Sequence, residues 1–165
     1  MSSETTSITF SMPATEIASL VQHMDDVWVG TTKGQIIQTQ KDQALNHIQC
    51  WPDQATGEPQ LPIEQGSVVE GMYTIPSIGL LVAHICKSGG QGRAVIVKKE
   101  APYLTDISKR CSFIAASSSK KSDFPLVLSE GKKILLFKAE NGRLANSPNT
   151  YDADGEVQAL SINGA

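Results

Sequence analysis

The sequence predicts an all-β fold made of repeated four-stranded antiparallel units, and three observations lead there. Helical periodicity is weak throughout, while short apolar runs are punctuated by Gly, Pro, Asn and Ser. An apolar run, a small polar turn carrying glycine and a second apolar run make up Val27 to Ile37, and the design returns over Leu80 to Lys99 and over Leu126 to Phe137. Glycine supplies the backbone values a short turn needs and β-branched or aromatic residues suit the flanks, so each reads as a β-hairpin. Lastly, a tiny residue precedes an apolar one at Ser19-Leu20, Gly71-Met72, Ala115-Ala116 and Ala159-Leu160. That spacing of about 44 to 52 residues is the period of propeller blades, whose innermost strands crowd a central channel and favour small side chains.

Taken in order, Ile8 to Met12 alternates like a strand and Glu16 to Gln22 follows as a second run. The first hairpin comes next, then Asn46 to Trp51 as a shorter, more polar strand. Pro52 to Gly66 has no strand or helix pattern and is long for a loop, which marks it as a functional excursion. Val68 to Thr74 restarts the pattern, followed by Leu80 to Cys86, a glycine-rich turn, Arg93 to Lys99, and an outer strand near Tyr103 to Ser108. Ser112 to Ser118, Leu126 to Ser129 and Ile134 to Phe137 repeat the sequence of elements. Asn141-Gly142 favours positive backbone angles and predicts a turn before a short strand at Arg143 to Asn146. A loop over Asn146 to Gly155 then leads to a strand at Glu156 to Ile162.

These elements divide into units of about 16–66, 67–110 and 111–155, with another beginning at 156–165. About three blades plus the first strand of a fourth are too few to close a ring of four to eight. The expectation is therefore a partial propeller: the N-terminal part of a larger one, or one half of a split one, with an edge that needs another chain. A compact β-sandwich is the alternative for a complete protein.

The segment Val27-Trp28-Val29-Gly30-Thr31-Thr32-Lys33-Gly34-Gln35-Ile36 resembles a motif of divergent members of the WD40-like propeller superfamily. These include propellers of Rho exchange factors, kinase-interacting scaffolds, Roco kinases and citron-homology domains. The resemblance implies that this is the second-to-third strand hairpin of a blade, that Trp28 packs between blades, and that Gly30 and Gly34 shape the turn. No Trp-Asp dipeptide ends a unit and no Gly-His dipeptide opens one, so the Asp-His-Ser network of standard repeats is not assigned.

Composition narrows the function. The formal net charge is −3, with no general attraction to phosphate backbones, so nucleic acid is a poor default partner. The N-terminal residues lack the basic start and apolar core of a signal peptide, no apolar run reaches the roughly 20 residues of a membrane-spanning helix, and Cys50, Cys86 and Cys111 are widely spaced and odd in number. A cytoplasmic protein with reduced thiols is expected.

Chemistry-bearing motifs are sparse. His47 and Cys50, three apart, would point to opposite faces of a strand, whereas His84 and Cys86 would share one; two ligands fall short of a zinc site, so strand packing is the expected role. Asp152-Ala153-Asp154-Gly155-Glu156 lacks the spaced donors of a calcium loop, and Ser88 to Arg93 leads into a strand instead of the helix a phosphate loop needs. With no Gly-x-Ser-x-Gly elbow and no paired carboxylates, neither enzyme activity nor a cofactor is expected.

The basic doublets Lys98-Lys99, Lys109-Arg110, Lys120-Lys121 and Lys132-Lys133 read as solvated faces that, if clustered, would meet anionic lipid or an acidic partner. In propeller geometry Pro52 to Gly66, Cys86 to Gly92, Glu130 to Lys132 and Asn146 to Gly155 emerge on one face. This predicts a partner-binding rim bearing Trp51, Pro59, Lys87, Arg93 and Lys132. The function expected is a non-catalytic protein–protein interaction module of a larger scaffold or signalling regulator, partnered by a protein or by the rest of the propeller. A trafficking or small-GTPase-regulator propeller at an anionic membrane, and a propeller hydrolase, are the alternatives.

Overall fold

The computed structural model describes residues 17–40, 43–50, 63, 66–87, 92–100, 103–145, 147–155, 157, 159–160 and 162. Among them there is no helix. Strands β1 (Ile17–His23), β2 (Asp26–Thr31), β3 (Gln35–Gln40) and β4 (Gln43–Gln49) form the first sheet, an antiparallel meander in chain order. The second is the meander β5 (Val68–Ile75), β6 (Leu80–Cys86), β7 (Gly92–Val97) and β8 (Leu104–Cys111). In the third, β9 (Phe113–Ala116), β10 (Leu126–Glu130) and β11 (Lys133–Phe137) pair in order, and β14 (Asn149–Asp152) closes the outer edge. Between β11 and β14, β12 (Ala139–Glu140) and β13 (Arg143–Leu144) make a separate hairpin. Three four-stranded meanders, stacked face to face with their first strands adjacent, are propeller blades.

The recurring hairpins are the β2–β3, β6–β7 and β10–β11 pairs, and the turns of the first and last rest on glycine. Gly34 takes φ 69° and Gly131 φ 61°, left-handed values that other residues resist. Gly30 does a different job from the one its motif implies. A Cβ there would run into the Ser19 hydroxyl and the Val69 side chain, so the missing side chain lets the first two sheets close together. Ser19 uses that proximity to donate its hydroxyl proton to the Val69 carbonyl at 2.8 Å.

Two apolar layers hold the stack. Trp28, Ile36 and Ile48 of the first sheet pack against Val69, Met72, Leu81, Ala83, Val95 and Leu104 of the second. Alternate residues of the second sheet, Ile75, Val82 and Ala94, pack against Ile114, Leu126, Leu128, Leu135 and Phe137 of the third. Since successive side chains point to opposite faces, a middle sheet buried on both sides needs continuous apolar runs, which Leu80 to Cys86 supplies. Trp28 is 1% exposed, in the interblade position the motif implies.

The sheet edges differ from expectation. Strand β4 begins at Gln43 instead of Asn46, since Gln43 and Ala44 continue the pairing with Gln40 and Thr39 of β3 beyond an irregularity between Gln38 and Thr39. The expected turn forms at Asn141 (φ 51°) and Gly142 (φ 75°), and the short strand after it is Arg143–Leu144, paired back on Ala139–Glu140; the segment expected as a loop over Asn146 to Gly155 instead contains β14, the outer strand of the third sheet. Of the strand expected at Glu156 to Ile162, the described residues Val157, Ala159, Leu160 and Ile162 lie outside any strand. Ile8 to Met12 is outside the described residues.

Candidate interaction surface

Strand alternation sorts the connections between two rims. Those after β2, β4, β6, β8 and β10 emerge at one end, and those after β1, β3, β5, β7, β9 and β11 at the other. Of the predicted rim, the end of β6, the start of β7 and the β10–β11 turn lie at the first end, most of Pro52 to Gly66 and all of Ser88 to Gln91 are outside the described residues, and Asn146 to Gly155 does not lie wholly there: β14 runs through that segment, so its two ends leave at opposite rims.

On this rim Lys87 is exposed at the end of β6, and Lys132 is exposed in the β10–β11 turn, where its carbonyl accepts the Ala153 N–H at 2.8 Å. Arg93 is only 19% exposed and its guanidinium donates to Asp106 of the neighbouring strand at 2.5 Å, within the sheet's own packing. Trp51 and Pro59 lie outside the described residues.

The same sorting splits the basic doublets. Lys109-Arg110 and Lys132-Lys133 share the first rim, where Arg110, Glu130, Gly131 and Lys133 line an open groove. Lys98-Lys99 and Lys120-Lys121 sit at the opposite rim, and Lys99 is engaged there by Asp26 at 3.0 Å.

Near that second rim a polar seam joins the first two sheets. Gln38 donates to the Asp26 carboxylate at 2.5 Å, and His23 Nδ1 meets the Thr74 hydroxyl at 2.7 Å. Burial alone would raise Asp26, but hydrogen bonds from Lys99 and Gln38 and the Lys99 charge outweigh it and hold the carboxyl below its usual range. Burial, assisted by the Lys99 cation, pushes His23 below its ordinary 6.5 against the pull of Asp26. Each group has a partner inside the protein, so the seam is a joint between sheets.

The third sheet has a face with no sheet upon it among the described residues. Its inward residues pack on the second sheet, which leaves Phe113, Val127, Ile134, Leu136 and Tyr151 on the other side. Phe113 is 37% and Tyr151 59% exposed, and Val127, Ile134 and Leu136 are partly exposed. On the first two sheets the corresponding outward faces are closed: Ile36 there and Val82 and Ala94 next to it are each 0% exposed. The signal in the sequence was Ile134-Leu135-Leu136-Phe137, a continuous apolar run where a strand with one wet face would alternate.

One group of metal-capable donors stands out among the described residues: Glu70, His84 and Cys86, with ligand atoms all within 4.8 Å of one another. The β5 strand is irregular between Val69 and Gly71, so Glu70 is the extra residue of a bulge beside His84 and Cys86 of β6. The Cys86 thiol donates to Glu70 Oε2 at 2.6 Å, and His84 Nδ1 lies 3.9 Å from the same oxygen.

No protein-family model matches the chain, and no curated protein matches it. Among solved structures it is similar to the β-propeller domain of Cps50 (Swd1) from Myceliophteria thermophila, at 16% identity and a TM-score of 0.47. That match covers 88% of this chain and 46% of the other, so the chain spans about half the length of the structure it matches.

Proposed function

We propose that the chain is a non-catalytic protein-interaction module, part of a larger scaffold or signalling regulator of the kind its hairpin motif resembles, and that the open face of its third sheet seats a further blade. The observation that carries this is the difference between equivalent faces: apolar and closed on the first two sheets, apolar and open on the third. An apolar face at a sheet boundary marks an interaction site, and the occupant with matching shape is another twisted four-stranded sheet. The rim carrying Lys87, Arg93 and Lys132, with Trp51 and Pro59, is the second proposed contact, for a partner protein. The basic doublets, divided between two rims, give the anionic-membrane alternative no single face to work from.

A photo-crosslinking amino acid in place of Tyr151, in cells, tests the reading. The expected product is a discrete adduct to a strand of another blade, in the same polypeptide or in a partner, and no such adduct from Lys121 on the opposite rim. Labelling from Tyr151 no stronger than from Lys121, or labelling of lipid, would overturn it.

A further inference from the structure

We propose that Glu70, His84 and Cys86 form a Zn²⁺ site with three protein ligands and a fourth position open toward the exposed side of Glu70. This is independent of the interaction reading, since it rests on one corner of the second sheet.

The donor set is one sulfur, one imidazole nitrogen and one carboxylate, a mixture that suits Zn²⁺ and disfavours Mg²⁺ and Ca²⁺, which prefer oxygen alone. The backbone has arranged it. His84 and Cys86, two apart on β6, point to the same face, and the bulge in β5 turns Glu70 toward them. Gly92, paired with Cys86, leaves that strand end without a side chain: a Cβ on it would strike Ile85 O and the Cys86 backbone.

The second ring nitrogen of His84 is held as metal-bound histidines usually are. Nε2 lies 2.9 Å from the Cys111 carbonyl, which only accepts, so Nε2 carries the proton and Nδ1 presents its lone pair to Glu70 and Cys86. His84 and Cys86 are buried, at 5% and 4% exposure, while the Glu70 side chain is 61% exposed. Two donors are therefore held by packing, and the third has room to change rotamer. Tetrahedral Zn²⁺ with bonds of about 2.0–2.3 Å needs donors about 3.5 Å apart. A rotamer change of Glu70 supplies this by opening its present 2.6 Å contact with the thiol.

In the metal-free protein that contact is a thiol–carboxylate hydrogen bond. Zn²⁺ takes the place of the thiol proton, which leaves to solvent, so the sulfur binds as thiolate and the bulge is pinned to β6.

Titration of the reduced chain with Co²⁺, an optical stand-in for Zn²⁺, tests the site. One equivalent is expected to bind with a near-ultraviolet sulfur-to-cobalt charge-transfer band that Zn²⁺ displaces. Cys86→Ser should abolish the band and Cys50→Ser should keep it. Glu70→Gln, at an exposed position that leaves the fold intact, should weaken binding by about tenfold or more. Absence of the band, its survival in Cys86→Ser, or unchanged affinity in Glu70→Gln would overturn the proposal.

Discussion

Asp26 and His23 pair across the β1–β2 turn on the first sheet's side of the polar seam, with Lys99 opposite, and both favour the state in which the aspartate is charged and the imidazole neutral. Each is held below its ordinary value, so the unfolded chain takes up protons that the folded one resists. The stability contributed by His23 is complete above pH 6.5 and is lost as pH falls through its lowered folded value; that of Asp26 is complete above 3.8 and is lost below it. Urea unfolding across a pH series should show both declines, and His23→Gln should remove the upper one alone. An unchanged upper slope in His23→Gln would assign that decline to another group. None of these partnerships was visible as a motif. Asp26 and Gln38 are 12 positions apart, and Glu70 is 16 from Cys86; only strand register, and for Glu70 a bulge, makes them neighbours. Sequence periodicity carries faces but not register, which is why His84 and Cys86 could be paired on one face and Glu70 could not be added.

The hairpins were the most legible elements, because apolar strands and a glycine turn state the same structure twice. Gly30 tests what that glycine is for. Gly30→Ala leaves an acceptable backbone, yet its Cβ collides with Ser19 and Val69, so it should loosen the first two sheets and cost about 1–3 kcal/mol in chemical denaturation. A loss confined to a few tenths of a kcal/mol would mean that the sheets yield without strain. The outer strands were hard to place for the opposite reason. All four residues of β14 are exposed, so no burial imposes a pattern on Asn149 to Asp152, and the segment reads as a loop.

At the scale of the molecule, the repeat period and the small residues of the inner strands announced stacked sheets, while the open face of the last one emerged only when the side of each residue was known. The connections between sheets are very unequal. The first two are separated by the stretch between Gln49 and Val68, but β8 ends at Cys111 and β9 begins at Phe113, with Ser112 alone between them. Ser112 is itself tied down, donating its N–H to the Ser129 carbonyl at 2.8 Å. One residue of tether keeps the second and third sheets at a very high local concentration, so docking them requires almost no search. The pair should behave as a single kinetic unit, forming together in refolding, with the first sheet joining by slower closure of the longer connection. Ten Gly-Ser residues inserted after Ser112 should cost about 2 kcal/mol and slow that early step; unaltered refolding would show that the tether's length is immaterial. A one-residue joint is also a crank: any twist imposed on β9 by a partner on the open face is delivered to β8 with no slack to absorb it.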